Sequence, residues 1–200
     1  MIIGVHGKAG HGKDEVGRII KNTLKLKADQ DWQIKKFASK LKTSIHHKFP
    51  MWFHPQLWEE NPDNYRNQIL PMFGITRREL LIKEAMAMRE IHPDYWVEAL
   101  MTDYININQK SKGAKRKVIT PNWIITDMRF PNELARIIAQ NGLCVSVRRP
   151  GIPEIESISE TALDSSVGAD KGLNSVIVND GTLEDLVIST HHFLKARGLL

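Results

Sequence analysis

Ile2-Ile3-Gly4-Val5-His6-Gly7-Lys8-Ala9-Gly10-His11-Gly12-Lys13-Asp14-Glu15-Val16 is the stretch on which the fold turns. Its apolar run ends at glycines, and Val16, Ile19, Ile20 and Leu24 follow at the spacing of one helical face, so the order is strand, loop, helix. Gly7 to Lys13 fits G-x-x-x-x-G-K in the context that spacing requires, directly after a strand and opening a helix. Gly7, Gly10 and Gly12 let the main chain wrap closely around phosphates. The loop N–H groups and the helix N-terminus supply a positive concavity, and Lys13 can reach the terminal phosphates.

The residue after Lys13 is Asp14, where the common motif has a hydroxyl for Mg²⁺. A carboxylate can hold magnesium directly or through water, because that ion prefers oxygen ligands and keeps much of its hydration; Asp14 can equally be a helix cap. His11 can face either a nucleotide or solvent.

Outward from this loop, strands alternate with helices. A second strand is expected at Ile34 to Ala38, followed by a helical face of Leu41, Ile45 and Phe49 that ends at Pro50. Periodicity fails from Met51 to Pro71, which reads as an irregular insertion with a short helix near Tyr65 to Leu70. One helix is expected from Thr76, capping ahead of Glu79, to Glu90. Another begins near Pro93, carries Trp96, Val97, Leu100, Tyr104 and Ile107, and ends in a basic loop over 110–117. Strand signals resume at Trp123 to Thr126, Leu143 to Val147 and Ser175 to Val178, with helices at Glu133 to Gln140 and Thr182 to Arg197. This pattern predicts an α/β fold with a mostly parallel sheet flanked by helices. The whole of 1–200 is expected to be a single domain, with a core of about 1–50 and 118–200. A helical insertion over about 51–109 stands outside the alternation, and a loop-like lid covers about 150–173.

Composition narrows the function classes. The chain has 200 residues, 22.8 kDa, 42% hydrophobic content and a mean hydropathy of -0.32, which suits one globular domain burying roughly 70% of its unfolded surface. There are 28 basic against 23 acidic residues, for a charge of +5 and a pI near 9.3. Lys110, Lys112, Lys115, Arg116 and Lys117 account for the whole surplus, which argues against a polycationic coat protein. That loop is a solvated connection or a nucleic-acid contact. Its lack of aromatic residues removes the stacking platform of a single-strand binder, so nucleic acid is not the expected partner. The single Cys144, in an apolar setting, rules out an internal disulfide framework and is expected to be buried. Met1 to Val5 is too short for a signal-peptide core and no apolar run nears the roughly 20 residues of a membrane span, so a cytoplasmic protein is expected. His46-His47 and His191-His192 are helical neighbours that point apart rather than converge on a metal.

A second constellation lies in Trp123-Ile124-Ile125-Thr126-Asp127-Met128-Arg129-Phe130-Pro131-Asn132-Glu133. It sets Asp127 and Arg129 at the carboxyl end of a buried strand, where ligands bind in open α/β sheets. Asp127 can orient magnesium or a substrate hydroxyl, and Arg129 offers a planar fork for phosphate; a structural ion pair is the alternative. Arg148 and Arg149 follow the next strand and lead into the lid. An arginine-bearing cover excludes water and balances charge in phosphoryl transfer.

Taken with Phe37-Ala38-Ser39-Lys40-Leu41-Lys42, Asp94-Tyr95-Trp96-Val97, Arg149-Pro150-Gly151, Ser159-Glu160 and Val178-Asn179-Asp180-Gly181-Thr182, the chain resembles the phage-type deoxynucleoside monophosphate kinases, members of the P-loop kinase group. The resemblance spans nearly the whole chain and rests on the order and spacing of these segments. Three places depart from the family: Ile82-Lys83-Glu84-Ala85-Met86 stands where a Leu-Gln, Gly-Thr-acid element is usual, Ser157 where a His often precedes the Ser/Thr-Glu pair, and Glu15 where some members have a hydroxyl residue.

The resemblance implies a P-loop kinase fold in which the insertion binds the nucleoside monophosphate. It implies Mg²⁺-dependent transfer of the ATP γ-phosphoryl to a deoxynucleoside monophosphate, in the host cytoplasm if the chain is phage-encoded. An ATP site is implied on Gly7, Gly10, His11, Gly12, Lys13, Asp14, Glu15 and Arg149, with Asp14 as the magnesium residue. A substrate site is implied on Lys42, Arg78, Trp96, Asp127, Arg129, Glu133 and Glu160, with Lys13, Asp127 and Arg129 catalytic. Lys42 and Arg129 would neutralise the acceptor phosphate. Trp96 would pack on base or sugar, or else fill the core on its stripe with Leu100 and Tyr104. Glu133 would accept from sugar or base, or else serve as a first-turn helix acid. The other readings are a kinase for a nucleotide-like coenzyme precursor and a nucleotide-dependent nucleic-acid-binding protein using 110–117. A homodimer is left open.

Overall fold

Strands β1 (Ile2–His6), β2 (Trp32–Lys35), β5 (Asn122–Met128), β6 (Leu143–Arg148) and β7 (Val176–Val178) form one parallel sheet in the order β2-β5-β1-β6-β7. This is the expected α/β class, with the phosphate-loop strand at the centre. The computed structural model describes residues 1–60, 62–113, 121–153, 161–164, 173 and 175–200. Contacts divide the chain into two compact units, Met1–Lys36 with Asp103–Leu200, and Phe37–Thr102.

In the first unit the apolar strands are covered on both faces, as near-continuous Val and Ile runs require. Helix α1 (Lys13–Ala28) and the closing helix α8 (Leu183–Ala196) pack together on one face. There Val16, Ile20 and Leu24 meet Ile3, Val5, Ile124, Val147 and Leu194. Helix α7 (Pro131–Ala139) covers β1 and β6 on the other face. Thr182 caps α8 by accepting from the Asp185 amide, while Asp185 reaches back to the Thr182 amide, which halts and aims the chain after β7. Tyr104 packs edge-on to the fully buried Trp123 at 4.9 Å between ring centres. Cys144 is 6% exposed, and burial pushes its thiol pKa up to about 12, so it remains a protonated core group.

The second unit is mainly helical. Helix α2 (Ala38–Lys48) belongs to it; Leu41 and Ile45 pack with Phe53, Trp58, Tyr65 and Trp96. The second strand ends earlier than expected, at Lys35. Trp32 is only 3% exposed and starts the pairing with β5, whereas Phe37 is already helical (φ −58, ψ −41) as the N-cap of α2. In place of a short helix at Tyr65 to Leu70 there are two, α3 (Pro55–Glu60) and α4 (Pro62–Asn67). They are followed by an antiparallel ribbon of β3 (Ile69–Leu70) and β4 (Ile75–Thr76).

Helix α5 (Arg77–Ile91) starts at the expected Thr76–Glu79 capping box. Helix α6 runs Tyr95–Gly113, so Lys110 and Lys112 are helical rather than part of a loop; the rest of the basic segment, 114–117, lies outside the described residues. So does most of the expected lid, including Glu160. Among the described residues no helix is long and apolar enough to cross a membrane.

Candidate active site

The phosphate loop is shaped by two glycines whose conformations side chains avoid. Gly10 (φ 78) and Gly12 (φ 92) are left-handed, and a Cβ on Gly12 would lie 2.6 Å from Nδ2 of Asn179. That amide, at the end of β7, donates to the His11 carbonyl at 3.1 Å, while the Asn179 backbone N–H donates to Arg148 at 2.7 Å. Asn179 is 9% exposed and so braces the loop against the carboxyl end of the sheet. The His11 ring turns back onto the sheet, with Nδ1 3.2 Å from the Val147 carbonyl; since a carbonyl only accepts, this bond places the ring proton on Nδ1.

The N-cap of α1 is Gly12, not Asp14. Asp14 points instead at β5. Its Oδ1 accepts from the Thr126 hydroxyl at 2.7 Å and lies 3.1 Å from the Lys36 ammonium. Burial pushes the Asp14 pKa up, but the Thr126 hydrogen bond, Lys36 and Lys13 outweigh it and hold the carboxyl below its ordinary 3.8. The side chain is still 45% exposed. An ionised oxygen donor beside the phosphate-loop lysine, already carrying a positive stand-in in Lys36, fits a hard dication such as Mg²⁺. Close packing sets this geometry: a Cβ on Gly17 would lie 2.4 Å from Thr126 Cγ2, so α1 runs against β5 with no room for a side chain.

Beside the loop lies a cavity of about 480 Å³, lined by Lys8, His11, Arg148, Arg149, Ile152 and Asp164 among others. Lys8 makes an ion pair with Asp164 at 3.1 Å. Arg148 and Arg149 are exposed at its edge, as expected for residues just past β6. A positively lined recess next to a phosphate loop is suited to a polyphosphate chain.

No family model and no curated protein matches the sequence. Among solved structures, dephospho-CoA kinase from Campylobacter jejuni is similar over 100% of this chain and 98% of that one, with a TM-score of 0.49 and 11% sequence identity.

The remaining residues of the sequence reading fall in several places. Asp127 and Arg129 lie at the end of β5, adjoining Thr126, and both are half-buried. Glu133, in the first turn of α7, is 2% exposed and its Oε2 accepts from the backbone N–H groups of Arg129 (2.6 Å) and Phe130 (3.1 Å). It thereby fixes the turn that carries Arg129. Glu15 pairs with Arg18 on the surface of α1. Lys42, Arg78 and Trp96 belong to the second unit. Trp96 is a core residue there, 4% exposed, with its indole N–H donating to the Ala85 carbonyl at 3.2 Å. The Lys42 ammonium lies 5.5 Å from the centre of the Trp58 ring, and Arg78 is exposed.

Three residues that contact the loop or Asp14 were given no role from the sequence. Thr126 and Asn179 stood inside quoted segments without a role, and Lys36 stood outside them. No spacing rule links Lys36 or Thr126 to Asp14; only the sheet order, which sets β2, β5 and β1 side by side, brings them together.

Proposed function

We propose that this chain is an ATP-dependent kinase that moves the γ-phosphoryl group to a deoxynucleoside monophosphate, with Mg²⁺ as cofactor. The observation that carries the reading is the loop from Gly7 to Lys13, with left-handed Gly10 and Gly12, opening α1 at the central strand of a parallel sheet. The acceptor class rests on the order of the segments shared with the phage-type kinases.

In this reading the backbone N–H groups of the loop and the Lys13 ammonium hold the ATP phosphates, and Arg149 adds charge from the cavity edge. Asp14 would hold the magnesium ion, oriented by Thr126. Bound with the nucleotide, the ion would neutralise charge on the phosphate oxygens. Arg129, carried on the turn that Glu133 fixes, and Lys42 would reduce repulsion around the acceptor phosphate. Asp127 would accept from an acceptor or ribose hydroxyl, and Arg78 would add charge on the acceptor side. Such catalysis works by positioning and charge neutralisation and needs no covalent enzyme intermediate.

The deciding experiment offers the protein ATP, Mg²⁺ and each of the deoxynucleoside monophosphates, ribonucleoside monophosphates and coenzyme-precursor nucleosides in turn, and measures ADP release. Turnover with a deoxynucleoside monophosphate is the expected result. Turnover confined to a coenzyme precursor would move the chain to the alternative kinase class. Silence across the monophosphates ends the present reading.

A further inference from the structure

The ammonium of Lys36 lies against the carboxylate to which the proposed function assigns a metal ion. It comes from the residue just after β2, lies 3.1 Å from Oδ1 of Asp14, and shares that oxygen with the Thr126 hydroxyl. Asp14 directly follows Lys13, so two lysine charges flank one carboxylate. A carboxylate cannot hold an ammonium and a dication on one side at full strength, because the two cations repel at contact distance.

We propose that Lys36 is a placeholder cation: it neutralises Asp14 while no metal is bound, and a divalent ion arriving with a nucleotide displaces it. This rests on the assignment of Asp14 as the metal residue. It goes beyond that assignment by making metal loading an exchange between two cations rather than the filling of a vacant carboxylate. The arrangement gives the ionised Asp14 a close counter-charge while no metal is bound. It also predicts a cost to metal binding, because the Lys36–Asp14 pair must open first. Lys36 is 31% and Asp14 45% exposed, so the pair is of the weak, solvent-screened kind, and the expected penalty is about two- to fivefold in metal affinity.

The test is Mn²⁺ binding, followed by the loss of the free-ion signal in electron paramagnetic resonance, with the protein saturated by a non-hydrolysable ATP analogue. Lys36→Met should bind Mn²⁺ about two- to fivefold more tightly than the wild type, and Lys36→Arg, which keeps charge and reach, should stay near wild type. Asp14→Asn should bind it much more weakly. Equal or weaker binding by Lys36→Met, with Asp14→Asn impaired, overturns the placeholder and leaves the metal assignment standing. Unimpaired Asp14→Asn removes the metal assignment and the placeholder with it, while leaving the acceptor question untouched because no acceptor is present. The wild-type protein provides a second reading if Lys36→Met folds poorly. Acetylation of Lys36, followed by peptide mass spectrometry, should quicken when Mn²⁺ and the analogue bind, and an unchanged or slower rate would also overturn the exchange.

Discussion

Thr126 and Asp14 are 112 residues apart in the chain, yet the threonine hydroxyl donates to Oδ1 of the carboxylate at 2.7 Å. In the common phosphate loop the hydroxyl follows the lysine. Here the carboxylate follows Lys13 and the hydroxyl comes from the adjacent strand, so the hydroxyl–carboxylate pair is kept with its two sources exchanged. Thr126→Val preserves shape and removes the donor. A hydrogen bond to a charged group is worth about 1.5–3 kcal/mol, so kcat/KM for ATP should fall about tenfold or more while the fold persists. Steady-state kinetics beside a circular dichroism spectrum would check this, and unchanged kinetics would show that Thr126 does not orient Asp14.

Lys13 is the one long cationic side chain of the loop placed by the motif to reach the terminal phosphates. Its loss should remove charge stabilisation that matters most as the phosphoryl group moves. Lys13→Ala should therefore lower kcat by about 10²- to 10³-fold, in the range of other electrostatic stabilisers. Retention of full ATP-dependent turnover would refute the phosphate-loop assignment.

Asn179 joins the loop to the end of the sheet through the hydrogen bond that its side-chain amide donates to the His11 carbonyl and through its packing against Gly12. Asn179→Ala leaves Lys13 and the loop N–H groups unaltered but removes the donor to the His11 carbonyl, at a cost of about 1 kcal/mol. The expected result is a KM for ATP raised about fivefold with little change in kcat, because the loop must be ordered by the ligand itself. A fall in kcat alone would show that Asn179 acts on the chemistry and not on loop order.

How far the sequence could be read depended on the range of the forces involved. The strand, loop and helix from Ile2 to Leu24 were legible because glycine spacing and helical periodicity are local constraints, and so was the Thr76–Glu79 cap. The second strand was placed two residues late at its start and three at its end because Ile34, Phe37 and Ala38 are apolar positions shared between strand and helix, while Phe37 is in fact used at the start of a helix in the other unit. Trp96 and Glu133 are residue types that suit both a ligand and a core or cap, and spacing alone could not show that both are buried. The surroundings of Asp14 were illegible for a different reason. Lys36 and Thr126 reach it only because β5 lies between β1 and β2, and sheet order leaves no mark at the level of spacing.

Gly17 tests whether helix packing and site geometry are coupled. A Cβ at this position would meet Cγ2 of Thr126 at 2.4 Å, and Ile124 Cγ2 is the next neighbour at 3.6 Å. Gly17→Ala should overpack the α1–β5 contact and cost about 1–3 kcal/mol of stability, seen as a lower urea midpoint. Adding Thr126→Ser removes the clashing methyl and keeps the hydroxyl, so the double variant should recover most of the midpoint. If serine gives no recovery, the strain lies elsewhere along α1.

His191 gives the fold a pH dependence of known sign. Its Nε2 lies 2.9 Å from the hydroxyl of Thr23, which is buried, and its pKa is lowered from 6.5 by desolvation first, then by repulsion from Lys27, Lys195 and His192. Above pH 6.5 the ring is neutral in folded and unfolded chains alike. As the pH falls through 6.5 the unfolded chain takes up a proton that the folded one still refuses, so stability drops until the folded pKa is reached and then levels off. His191→Gln removes this contribution and leaves the other titrating groups in place. Urea unfolding of wild type and variant at pH 7.5 and at pH 5 should therefore show the wild type losing ground relative to the variant on acidification. A wild-type advantage that stays constant or grows at low pH would mean that the folded protein accepts the His191 proton at least as readily as the unfolded chain does.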